Sequence, residues 1–137
     1  MNHITTRNIA LFLHMYFDDI PLKDIYDLVY GLLIHGGLVP ESLVCCLPLF
    51  VRIFESNHQI DDYESTITAV LSLTNKMIVD APSRLYKFVK DPHQVKVEEN
   101  KILIMLDYKV YFDDVSYRDS YFKLKNLQQS MTPETSL

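Results

Sequence analysis

The chain has 137 residues, of which 48% are apolar and only 3 are glycine, and its formal net charge is −5. That length suits one domain with a single continuous core, and the composition excludes disordered and fibrous classes. Lysines and arginines are scattered without a basic stripe, so nucleic acid is excluded as a partner, and an acidic surface repels anionic membranes.

Apolar residues recur at helical spacing along almost the whole chain, with no linker or internal repeat. Ile9, Phe12, Leu13 and Tyr16 form one face of a first helix that ends near Asp18 and Asp19. Pro21 opens the next, where Ile25, Leu28, Val29 and Leu32 align before Gly36-Gly37 stops it. Pro40 starts a third helix with Leu43, Leu47, Phe50, Val51 and Phe54 on one side, ending at Ser56-Asn57. Pro48 conflicts with it, since an interior proline costs ~3 kcal/mol and predicts a kink. Asp61 or Asp62 caps a fourth helix carrying Ile67, Val70, Leu71, Thr74, Met77 and Ile78. The wide apolar faces of the third and fourth helices make them central. Ala81-Pro82-Ser83 breaks the chain before a short helix through Leu85 and Phe88, and Asp91-Pro92 breaks it again. A long helix from about His93 turns Val95, Ile102, Leu103 and Leu106 inward and fades over residues 111–114. Ser116 with Asp119 reads as a capping box for a last helix holding Tyr117, Tyr121 and Leu124. Residues 109–112 have strand-like composition but no matching partner strand. The expected class is all-α, with a polar tail over residues 130–137 that contains the proline-directed pair Thr132-Pro133.

No apolar run reaches the ~18 residues of a membrane span. The longest, residues 43–54, is interrupted by Pro48 and Arg52. The N-terminus lacks the charge pattern and cleavage site of a secretory signal. Cys45 and Cys46 are the only cysteines and are adjacent, which excludes a disulfide framework and fits a reducing compartment, cytoplasmic or nuclear. Their expected place is the core.

Candidate chemistry is sparse. His3, His14, His35, His58 and His93 have no metal-ligand spacing, and no cofactor motif is present. The acidic pairs Asp18-Asp19, Asp61-Asp62 and Asp113-Asp114 stand at helix boundaries, where capping explains them. Gly36-Gly37 has neither a third glycine nor a preceding strand, and no serine sits in a nucleophile-elbow context. The expectation is a binding protein, not an enzyme. Tyrosine occurs 9 times, and Tyr63, Tyr86 and Tyr108 suit an interface.

One resemblance organises these segments. AVLSLTNKMIVDAPSRLYKF, residues 69–88, resembles the third helix of a cyclin box and its exit. QVKVEENKILIMLDYKVYFDD, residues 94–114, is similar to the box's fifth helix, where a glutamate precedes an apolar run and Leu-Asp-aromatic-x-aliphatic. IPLKDIYDLVYGLLIHGGLVPESLVCCLPLFVRIFE, residues 20–55, is similar to the first two helices of the single-box P- and Y-type cyclins.

The resemblance implies a single box of five helices over residues 20–114, an N-terminal helix over 1–19, a C-terminal helix over 115–129 and a flexible tail over 130–137. It also implies a regulatory subunit, monomeric when free, that binds and activates a cyclin-dependent protein kinase as a heterodimer. A lysine and a glutamate clamp the kinase's C helix in that family, and the matching positions are Lys76 and Glu99. Met77, Leu103, Tyr108 and Val110 would supply apolar contacts around them. Taken as surface charges, Lys76 and Glu99 face water in the free protein, and replacing either should leave its stability nearly unchanged. The family's ion pair between its first two helices is missing, with Val51 where an aspartate would stand before Arg52 and no arginine over residues 22–31. The Met-Arg-x-x-Leu peptide-docking patch is missing too. Alternative readings are a non-kinase helical adaptor, as in transcription machinery, or a virus-type helical inhibitor of host signalling.

Overall fold

The computed structural model describes residues 2–56, 60, 62–79, 85–110 and 113–130. Among them all regular structure is helical: α1 (Asn2–His14), α2 (Leu22–His35), α3 (Ser42–Glu55), α4 (Tyr63–Ile78), α5 (Leu85–Phe88), α6 (Pro92–Met105) and α7 (Asp114–Ser130). None is long and apolar enough to cross a membrane among the described residues.

The helix α4 is central because it can be approached from every side. Eleven consecutive residues, Ser65 to Asn75, are buried, and the small Ser, Thr and Ala side chains among them let neighbouring helices come close. Some of their hydroxyls find partners close by: Ser65 donates to Asp62 at 2.7 Å and Thr74 to the Val70 carbonyl at 2.8 Å. The Asn75 Oδ1 accepts from the Val39 N–H at 3.0 Å, which ties the approach to α3 onto the end of α4. α3 packs on α4 with Leu43, Cys46, Leu47, Leu49, Phe50 and Ile53 in the core. It is continuous through Pro48, so the expected interior proline is accommodated without ending the helix. α1 packs on α2, α3 and α7, and α6 makes its main contact with α4.

The helix ends show which local signals acted. The Asp62 carboxylate accepts from the Glu64 and Ser65 N–H groups, and Asp91 from the Gln94 N–H, each satisfying donors that a first turn leaves open. Asp61, the other candidate cap, lies outside the described residues, as do Asn57, the break at 81–83 and the tail over 131–137. The capping box read at Ser116 and Asp119 is corrected. Asp113 accepts from the Ser116 N–H at 2.7 Å, so α7 begins about one turn earlier. That contact holds the Asp113 carboxyl below its ordinary value. α1 stops at His14, before Asp18. Tyr16 lies beyond it, 47% exposed, with its ring stacked on Phe54 at 4.0 Å. Gly36 caps α2, and Gly37 takes a φ of 74° that a side chain would resist. Gly31, inside α2, allows close packing: a Cβ there would lie 2.7 Å from the Phe88 ring of α5.

α6 also departs from expectation by ending at Met105, well short of residue 111. Its exit is a Schellman turn. The Tyr108 N–H donates to the Leu103 carbonyl at 2.8 Å and the Asp107 N–H to Ile104 at 3.0 Å. No glycine serves this turn. Asp107 and Tyr108 take φ values of 55° and 58°.

Candidate interaction site around Lys76, Tyr86 and Glu99

Lys76 and Glu99 are far apart in sequence and meet in space. The Lys76 Nζ donates to the Glu99 Oε1 at 3.0 Å. The pairing follows from helix register. Glu99 stands one turn after Val95 and one before Ile102 on the buried stripe of α6, and that stripe faces α4. Lys76 is in the last turn of α4, where a cation is favoured by the helix dipole.

The expectation that both charges face water is corrected. The Lys76 side chain is 50% exposed, but that of Glu99 is only 6% exposed. A carboxylate so placed needs hydrogen bonds, and the two neighbouring helices, α4 and α5, supply them. Ser72 of α4 donates its hydroxyl to Oε1 at 2.6 Å. Tyr86 of α5 places its hydroxyl 2.9 Å from Oε1 and 2.5 Å from Oε2. The Lys76 ammonium also reaches the Tyr86 oxygen at 2.7 Å, and both Lys76 and Lys96 lie 5.1 Å from the centre of the Tyr86 ring. This is a tied junction of α4, α5 and α6, organised around one buried anion. Burial pushes the Lys76 amine pKa down, but hydrogen bonds to Tyr86 and Glu99 outweigh it, and the net shift is upward.

The apolar residues expected around the pair divide. Met77 is 53% exposed beside Lys76, and Tyr108 is 68% exposed beyond the end of α6. Leu103, one turn past Glu99, is half-buried against the core. Val110 is corrected: it is 7% exposed and belongs to the core cluster, so a partner cannot use it without local rearrangement. Ile78, expected on the apolar face of α4, is 38% exposed, and Ile104, near the end of α6, is 65% exposed. Tyr63, the remaining interface candidate, is half-buried, with its ring near Phe17.

A second concavity lies at the other end of α4. It is a cleft of about 620 Å³ lined by Leu28, Tyr63, Phe88, Val89 and Val95, with Asp24, Asp27, Glu64 and Asp91 among its polar residues. Among the described residues, no group of three or more His, Cys, Asp or Glu side chains is placed to hold a metal ion. No protein-family model, curated protein or solved structure matches the chain.

Both cysteines are buried and unpaired. Burial, with a smaller contribution from Glu41, pushes the Cys45 thiol from 9.0 up to about 11, and burial raises Cys46 as well. The unfolded chain therefore ionises these thiols first. Their contribution to stability is complete below 9.0 and is lost as pH rises towards about 11. Lys76, whose folded value is also raised, acts in the same direction: its stabilisation is present below 10.5 and is lost as pH rises through the folded value. Thermal melts carried from neutral pH to about 11 should show the melting temperature falling from 9.0 upward. The double change Cys45→Ala and Cys46→Ala should flatten the first part of that fall. An unchanged slope would mean that the thiols do not set the alkaline limit.

Proposed function

We propose that this chain is a regulatory subunit of a cyclin-dependent protein kinase, docking on the kinase's C helix with the surface that carries Lys76 and Glu99. The observation that carries this reading is the 3.0 Å pairing of Lys76 with Glu99 across 23 residues of sequence, at the edge of exposed apolar side chains. The two residues were selected by resemblance to a cyclin box, and their meeting at one helix junction is what a clamp requires.

The chemistry of the junction suits the role. Glu99 is fixed by Ser72 and Tyr86, and it in turn fixes the half-exposed ammonium of Lys76. Among the described residues, two of the three ammonium donors are taken, by Tyr86 and Glu99. The third is available to a carbonyl or carboxylate on a partner. Met77, the next residue in the chain, supplies exposed apolar area beside it, and Tyr108 adds an exposed ring just beyond the end of α6. A kinase switches on when its C helix moves in so that the helix's glutamate pairs with the phosphate-binding lysine. A subunit that binds only that arrangement shifts the equilibrium by its difference in affinity for the two states. The protein itself performs no chemistry in this scheme.

The experiment is direct binding and kinase assay of the purified chain against a panel of purified cyclin-dependent kinases. The expected result is a one-to-one complex with at least one of them, with phosphorylation of a generic substrate stimulated. A panel that shows neither binding nor stimulation rejects the reading.

A further inference from the structure

The turn that follows α6 breaks a local rule. A Schellman turn ordinarily places glycine at its left-handed position, because a side chain there crowds the backbone. Here two consecutive non-glycine residues, Asp107 at φ 55° and Tyr108 at φ 58°, occupy that region. Aspartate tolerates it, but a bulky aromatic residue rarely does. Something outside the turn has to hold it.

That hold comes from α3. The guanidinium of Arg52 donates to the Lys109 carbonyl through Nη1 at 2.8 Å and to the Leu106 carbonyl through Nη2 at 3.4 Å. The two acceptors bracket Asp107 and Tyr108 on either side. A planar guanidinium can reach both at once, whereas a lysine ammonium offers a single point charge. The turn's own bonds complete the arrangement, with the Lys109 N–H on Leu106 and the Tyr108 N–H on Leu103. The result places Tyr108, 68% exposed, just beyond the end of the helix that carries Glu99 and Leu103. Folding alone would be served as well by a glycine and a polar residue. Strain held at an exposed aromatic residue points to a surface made to be used.

We infer that Arg52 is the positioning residue of the interaction surface: by bridging the Leu106 and Lys109 carbonyls it imposes the left-handed Asp107–Tyr108 turn and so presents Tyr108 to the kinase. The identity of the partner rests on the reading given under Proposed function. The hold itself does not.

Two measurements on the full chain separate these. The first is amide hydrogen exchange without a partner. Arg52→Ala should speed exchange at the Tyr108 and Lys109 N–H groups at least tenfold, about the worth of one charged hydrogen bond, and leave α4 unchanged. Arg52→Lys should fall between. The second is affinity for the cyclin-dependent kinase panel. Arg52→Ala and Tyr108→Ala should each weaken binding about tenfold. Adding Asp107→Gly to Arg52→Ala should restore part of that loss, because glycine favours the left-handed conformation at the first of the two positions without the guanidinium. Unchanged exchange in Arg52→Ala overturns the hold. Accelerated exchange with undiminished kinase affinity overturns the positioning role. Failure of the wild-type chain to bind any kinase rejects the kinase reading, while the exchange result still decides whether Arg52 imposes the turn.

Discussion

Replacing Glu99 with alanine is expected to destabilise the free protein by about 3 kcal/mol, roughly a 10 °C fall in melting temperature for a chain of this size. Most of that loss comes from what the carboxylate leaves behind. The Ser72 hydroxyl is buried and donates to Glu99 at 2.6 Å, so its hydrogen-bond capacity would be stranded. The Tyr86 hydroxyl would lose both carboxylate oxygens, and α5 would lose its polar tie to α6. The ion pair itself contributes less, because the Lys76 side chain is 50% exposed and its ammonium can turn to water. Glu99→Gln keeps an acceptor and a similar shape, and should cost about half as much. Differential scanning calorimetry of the three proteins decides the matter. A melting temperature for Glu99→Ala equal to that of the parent would mean that Glu99 does not join the three helices.

The sequence already indicated that Glu99 is inward-facing, although the expectation went the other way. Val95, Glu99, Ile102 and Leu106 form one helical stripe, and a residue on that stripe is enclosed whatever its charge. Taking Lys76 and Glu99 as surface charges pointed to solvent instead, and Glu99 is buried together with its neighbour Glu98. Helix faces were legible because their cause is local: spacing alone places Ile25, Val29 and Leu32, or Leu43, Leu47 and Phe50, in the core. The central position of α4 was legible for the same reason.

The contacts between distant segments were not. Nothing near Arg52 in sequence announces that its guanidinium will cap a turn more than fifty residues later. Nor does Asp107-Tyr108 carry the glycine that marks a left-handed turn. Tyr86 stood out as an interface tyrosine, but its bond to Glu99 depends on how α5 docks, which four residues of helix cannot specify by pattern. Asp113 was identified as a boundary residue, yet the capping role went to Ser116 because a serine followed three residues later by an acid mimics a capping box. For Arg52 and Tyr86 the deciding interaction is a hydrogen bond between distant segments, which periodicity does not encode; for Asp113 two local patterns compete and the shorter-range cap prevails.

Lys76→Ala is expected to separate binding from folding. In the free protein the change removes a half-exposed cation while Glu99 keeps the Ser72 and Tyr86 hydroxyls, so stability should fall by no more than ~1 kcal/mol. On the complex the effect should be far larger. Docking as proposed would exclude water from the ammonium and from its anchored carboxylate. Truncating one member of such a desolvated network costs ~2–5 kcal/mol. That corresponds to kinase binding weakened by roughly thirtyfold to several thousandfold. Lys123→Ala, a change on the α3–α7 side of the molecule, should alter neither quantity. Calorimetric titration against the kinase and thermal melting, run on the same preparations, give both numbers. Equal losses in the two measurements for Lys76→Ala would make the residue structural and would remove the clamp from the reading. A large loss of affinity with a small loss of stability is the expected signature, because in the free protein the ammonium is held at the surface by Glu99 and Tyr86 with a donor left for a partner.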